Sequence, residues 1–86
     1  MPASTTPTLQ AFCVIARLRS FTRAAAELGV SPSALSQSMR QLEAGLGVRL
    51  LTRTTRQVTL TEPGEQLLER LAPALQDVDA ALDAVR

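Results

Sequence analysis

The chain has 86 residues with 45% hydrophobic and 20% charged side chains, which makes it one small globular domain, too short to enclose a large active-site cavity. It has no His and a single cysteine, Cys13, which removes His-based metal centres, Ser-His and Cys-His catalysis, an intrachain disulfide and a paired-cysteine zinc site. The formal net charge of +1 is a sum of opposites: residues 1–56 hold seven Arg against Glu27 and Glu43, net +5, whereas residues 57–86 hold Arg70 and Arg86 against six carboxylates, net −4.

A polyanion therefore suits the first segment and not the second. Phe12 and Phe21 are the only aromatic residues, so the core must be aliphatic, and stacking platforms for single-stranded nucleic acid are lacking. The composition points away from an enzyme, and no cofactor or metal is expected. No run approaches the ~18 to 20 apolar residues needed to span a bilayer, and the N-terminus has no charged region followed by an apolar stretch, so no membrane association is expected and the chain reads as cytoplasmic.

In chain order, residues 1–6 are small, polar and proline-bearing, with nothing to bury, and are expected to be disordered. A first helix is predicted from Pro7, with Thr6 as its cap and Pro tolerated at the first helical position. Leu9, Phe12, Cys13 and Ala16, with Ile15 adjoining, form its apolar stripe. Cys13 thus reads as a small core or interface residue and not as a reactive thiol, since nothing basic or helix-N-terminal lowers its pKa. Ser20 caps a second helix over Phe21 to Leu28, in which Ala24, Ala25 and Ala26 permit close approach of a neighbour. Gly29 ends it as a residue free to take a positive φ. Ser31 is a good N-cap and Pro32 suits a first helical position, so a third helix begins three residues after the second stops. Two helices so closely joined cross steeply, as in a helix-turn-helix.

The third helix carries the most informative pattern. Leu35, Met39, Leu42 and Leu46 form a stripe to face the first two helices. On the opposite side Ser33, Ser36, Gln37 and Arg40 recur at i, i+3, i+4 and i+7, hydrogen-bonding side chains of the kind that read base edges in a major groove. The plain alternative is a solvated helix face. Such faces are rich in Glu and Lys, however, and between Ser31 and Gln41 there is neither, so nothing there repels phosphate.

Gly47 is expected to stop the third helix. Strands are then predicted over Val48 to Arg53 and Arg56 to Leu60, the second alternating Val58 and Leu60 inward with Gln57 and Thr59 outward. The turn at Thr54-Thr55 lacks an Asn-Gly or Asp-Gly signal, so a short or irregular ladder is expected. Arg53 and Arg56 flank its tip, which makes the ribbon a wing able to reach phosphates or a narrow minor groove; two solvated loop arginines are the alternative. Thr61 caps a last helix of about 25 residues, or ~37 Å at 1.5 Å per residue. Pro63 and Gly64 lie in its first turn, and Glu62 and Glu65 suit its positive end. Leu68, Leu71, Leu75, Val78, Leu82 and Val85 alternate steps of three and four residues, the 3.5-residue period of a coiled coil. A helix this long exceeds what three short helices can cover, so dimerisation with a second chain through this seam is expected. Pro73, off the seam, is expected to kink the helix without breaking it.

Several runs together carry a family resemblance: Leu9-Gln10-Ala11-Phe12; Ser20 to Ser31, reading SFTRAAAELGVS; Leu35-Ser36; Arg40-Gln41-Leu42-Glu43; Leu46-Gly47-Val48-Arg49-Leu50-Leu51; Arg53-Thr54-Thr55-Arg56; and Leu60-Thr61-Glu62-Pro63-Gly64. From Leu9 to Arg86 the chain resembles the N-terminal DNA-binding region of LysR-type transcriptional regulators. The resemblance implies a mainly α fold, with a winged helix-turn-helix over residues 7–60 and a linker helix for dimerisation over residues 61–86. It also implies a third helix in the major groove, Arg53 near the adjacent minor groove, and antiparallel pairing of linker helices in a two-fold dimer on an imperfect inverted repeat of double-stranded DNA. Base and phosphate contacts carry over by position to Ser31, Pro32, Ser33, Ser36, Gln37, Arg40 and Arg53, the first few mostly to the DNA backbone.

Three features depart from the family pattern. Pro32-Ser33 stands where Gln-Pro is common, which removes one amide-to-base contact; Leu51 stands where Phe is usual; Gly45 replaces a stronger helix former. Family members continue into an effector-binding domain, so this chain is expected to be the DNA-binding part alone, with no small-molecule effector of its own. The alternative from another class is a winged-helix dimerisation and protein-interaction module that does not bind DNA.

Overall fold

Caps decide where each helix begins and ends. The computed structural model describes residues 5–54 and 57–86, with the order α1 (Thr5–Leu18), α2 (Phe21–Leu28), α3 (Pro32–Leu46), β1 (Leu51–Arg53), β2 (Val58–Leu60) and α4 (Glu62–Ala84). The Ser20 hydroxyl accepts from the Arg23 N–H at 3.2 Å, that of Ser31 from Ala34 at 3.1 Å, and that of Thr61 from Gly64 at 3.1 Å. Gly29 and Gly47 close α2 and α3 with φ of 72° and 74°, a left-handed conformation in which a Cβ would be strained. Arg19 does the same for α1 at φ 54°, its N–H donating to the Ile15 carbonyl at 2.7 Å.

The first helix starts earlier than its sequence suggests. It begins at Thr5, so Thr5 and Thr6 are helical and not part of a disordered terminus; residues 1–4 lie outside the described residues. Pro7 is then the third helical residue, where its missing N–H is still among the four that an α-helix leaves unpaired.

The core lies where α1, α2 and α3 meet the ribbon, and Phe12, Ile15, Met39, Leu50 and Leu51 are its largest fully buried side chains. Ala24 and Ala25 are also buried, letting α2 approach its neighbours closely. Cys13 packs half-buried against this core, and burial pushes its thiol pKa upward. Leu46, expected in the buried stripe of α3, is instead exposed: it sits in the final turn, past the core that holds Leu35, Met39 and Leu42.

The ribbon is antiparallel, pairing Leu51 with Leu60, Thr52 with Thr59 and Arg53 with Val58. β1 is shorter than the run predicted over Val48 to Arg53: the Leu50 and Leu51 N–H groups donate to Glu43 Oε2, at 2.7 and 3.1 Å, which ties the start of β1 to α3. At the tip, the Thr54 N–H donates to the Gln57 carbonyl at 2.9 Å, while Thr55 and Arg56 lie outside the described residues.

The entry of α4 is pressed against the domain. A Cβ on Gly64 would stand 2.1 Å from the Leu50 carbonyl oxygen, so the close approach requires a residue without a side chain. The Thr61 hydroxyl also donates to the Arg49 carbonyl at 2.6 Å, and the Thr61 N–H to the Leu50 carbonyl at 3.0 Å. The helix then continues unbroken through Pro73. Leu71 is buried on the domain's own core, Leu68 and Leu75 are partly buried against it, and Val78, Leu82 and Val85 are exposed. Among the described residues no helix is long and apolar enough to cross a membrane.

Candidate nucleic-acid interface

The short α2–α3 connection brings the start of α3 to the surface, with Ser31, Pro32 and Ser33 all exposed. One and two turns further along the same side come Ser36, half-buried, then Gln37 and Arg40, both exposed. Opposite them Leu35, Met39 and Leu42 are buried, so core packing sets the rotation of α3 and with it the direction of the polar side chains.

The wing meets this surface through Arg53. From the end of β1 its Nη1 donates to the Ser36 hydroxyl at 2.6 Å, and its guanidinium carbon lies 4.5 Å from the centroid of the Phe21 ring. A guanidinium over a ring face is held by the ring quadrupole, worth about 0.5 to 2 kcal/mol depending on desolvation. The other terminal nitrogen, Nη2, is buried and has no hydrogen-bond partner among the described residues. Burial lowers the Arg53 pKa most, followed by the positive charge of Arg40; Glu43 acts in the opposite sense, and Arg49 again lowers it. Arg53, Ser36 and Arg40 therefore form one electrostatically connected group, with Ser31, Pro32 and Ser33 beside it at the head of α3. Arg56 lies outside the described residues.

Sequence reasoning missed three participants. Phe21 registers in the sequence as the first residue of a helix, yet its ring seats the wing arginine. Glu43 looks like a surface residue of α3 but is buried, accepting from the Leu50 and Leu51 N–H groups. Arg49 stands beside it, its Nε 3.8 Å from Glu43 Oε2 and its side chain 73% exposed. The signal available was the scarcity of carboxylates in a basic stretch, since Glu27 and Glu43 are the only acids before residue 57 and each meets an arginine, Glu27 pairing with Arg17.

Comparison with known proteins bears on this surface. The family model described as a bacterial regulatory helix-turn-helix protein of the lysR family matches residues 7–65. The chain is 60% identical over 74 residues to the HTH-type transcriptional regulator PgrR of Escherichia coli K12, covering 86% of this chain and 25% of that protein. It is 51% identical over 78 residues to the HTH-type transcriptional regulator PtxR of Pseudomonas aeruginosa, covering 91% of this chain and 25% of the relative. It thus spans about a quarter of the length of these curated relatives. Among solved structures, the BenM DNA-binding domain in complex with its benA site 1 DNA superposes with a TM-score of 0.87 at 30% identity, covering 92% of this chain and 89% of that one. Full-length CbnR with its target DNA matches with a TM-score of 0.83 at 34% identity, over 93% of this chain and 28% of that one. With the helix-turn-helix, the two-stranded wing and the long last helix all in common, this chain belongs to the lysR family of bacterial regulatory helix-turn-helix proteins, as the DNA-binding domain of a transcriptional regulator and not as an enzyme.

Proposed function

We propose that this chain binds double-stranded DNA sequence-specifically, as a dimer on an imperfect inverted repeat, and so regulates transcription in the bacterial cytoplasm. The observation that carries the reading is the acid-free outer side of α3, where Ser33, Ser36, Gln37 and Arg40 stand together with Arg53 bonded to Ser36. The structures of BenM and CbnR with DNA support it by analogy of fold. Gln37 and Arg40 read base edges in the major groove, and Ser31, Pro32 and Ser33 lie against the DNA phosphate backbone, with the serines as the donors and Pro32 in van der Waals contact. Ser36 contributes from the same turn. Arg53 serves the neighbouring backbone or minor groove, and Arg56 is assigned to the same wing. The dimer forms through the seam of α4, whose members Leu68, Leu71 and Leu75 lean toward the chain's own core and whose members Val78, Leu82 and Val85 are free for a second copy.

Binding measured against salt tests this reading. Affinity falls steeply as salt rises, with about −0.9 in log–log slope for each phosphate neutralised. Arg53→Ala weakens all duplexes alike, whereas Gln37→Ala relaxes preference at particular base pairs by about 1 to 3 kcal/mol. Salt-independent binding, or identical losses on every duplex for both variants, contradicts the reading.

A further inference from the structure

The outer side of α3 does not account for all the positive charge gathered near it. Between the C-terminal half of α3 and the segment that turns back into β1 lies a cleft of about 560 Å³, lined by Arg40, Glu43, Gly47, Val48, Arg49 and Arg53. The positive φ of Gly47 brings this about by reversing the chain so that Val48 and Arg49 run back beside the helix they follow.

Three guanidinium groups therefore share one cleft with one carboxylate, and that carboxylate is already engaged. Glu43 Oε2 accepts from two backbone N–H groups, and Arg49 Nε is 3.8 Å away, beyond hydrogen-bond distance. Arg49 Nη2 reaches the Leu51 carbonyl at 3.5 Å, the long limit of a hydrogen bond. The Arg53 pKa is lowered first by burial and then by the charges of Arg40 and Arg49, which Glu43 only partly opposes. A cleft with this excess of guanidinium donors is complementary to a compact, doubly oxygenated anion, because an Arg fork donates two parallel hydrogen bonds to such a group. The cleft is also continuous with the surface assigned to base reading: Arg40 belongs to both, and Arg53 is bonded to Ser36 on α3. A duplex seated on α3 thus brings its own phosphates to the cleft, where a free anion would have to arrive separately.

We propose that this cleft takes one backbone phosphate of duplex DNA, held jointly by Arg40, Arg49 and Arg53, with Arg49 supplying a phosphate contact that the side chains of α3 do not provide. The proposal rests on the DNA-binding reading above and adds a residue to it. Arg49 carries no sequence information in this role, so its loss costs affinity equally on every duplex.

The test is a titration of the 86-residue chain with two fluorescent duplexes, one selected from a random pool and one scrambled, from about 50 to about 200 mM salt. The expected result is that Arg49→Ala reduces the magnitude of the log–log slope by about 0.9 on both duplexes and leaves the preference between them intact. Arg49→Lys retains the slope while weakening binding, and Arg86→Ala, at the far end of α4, changes neither. Circular dichroism melts accompany each variant, and Arg49→Gln replaces the alanine variant if that one is destabilised. An unchanged slope in Arg49→Ala, or a loss confined to the selected duplex, overturns the proposal. So does a site that inorganic phosphate saturates in NMR titrations without any Arg49 contribution to the DNA slope, which would make it a free-anion site. A wild-type chain that binds neither duplex, or binds both without salt dependence, defeats the DNA-binding reading itself and is distinguished from these outcomes by needing no variant.

Discussion

Near the start of α4, Leu71 is 9% exposed and Leu67, Leu68 and Leu75 pack against the core, whereas further along Val78 and Leu82 are each 49% exposed and Val85 is 83% exposed. The same repeat runs through both stretches. A hydrophobic period therefore identifies which residues share a stripe on a helix, but what covers the stripe depends on how far the rest of the domain extends alongside. Here α1 and β2 lie against α4 and cover only its earlier turns. The earlier part of the seam belongs to the fold of one chain, and the later part is exposed, where the proposed second copy would pack.

Mutations at the two ends of the seam sharpen this contrast most. Leu71→Ala removes a buried side chain and should cost about 2 to 5 kcal/mol in denaturant unfolding, at any protein concentration. Val78→Asp combined with Leu82→Asp should shift sedimentation toward monomer and lower DNA affinity, while the unfolding of the isolated domain at low concentration moves by no more than about 0.5 kcal/mol. Equal losses of unfolding stability from both changes would erase the distinction between the two ends.

A smaller effect separates two glycines. Gly64→Ala places a Cβ 2.1 Å from the Leu50 carbonyl oxygen, so backbone must move, with an expected loss of about 1 to 3 kcal/mol by thermal or chemical unfolding. Gly45→Ala, smaller still and opposite in sign, meets nothing within 4 Å in an exposed turn of α3, and should stabilise the chain by about 0.5 to 1 kcal/mol. Calorimetry on the pair checks both; a stabilising Gly64→Ala would mean that α4 is not seated on the Leu50 carbonyl.

Local chemistry made much of the architecture legible. Ser20, Gly29, Ser31, Pro32 and Gly47 are short-range signals, each acting within a turn of its own position, and the boundaries of α2 and α3 fall where they stand. The wing is harder to read because its length is decided from outside. Glu43, seven residues before Leu50, takes the N–H groups of Leu50 and Leu51, and no strand propensity encodes that. The same limit applies at the interface. The periodicity of α3 groups Ser33, Ser36, Gln37 and Arg40, but the contact of Arg53 with Phe21 and Ser36 joins three separate elements and exists only after they pack. Leu46 fails for the complementary reason: the stripe continues in sequence past the point where the neighbouring elements end.

The seat of Gly64 on Leu50 makes α4 a lever fixed at one end. At Gly64 itself no side chain intervenes between the rod and the Leu50 carbonyl, and Leu67, Leu68, Leu71 and Leu75 hold the next turns against the core. Over 23 residues at 1.5 Å each the rod is about 35 Å long, and if its packed turns reseated so that the whole helix tilted by about 5° about Gly64, its far end would move through about 3 Å. One missing methyl group at the pivot thus governs how accurately two such rods could align, and through them how far apart two copies of α3 would be held.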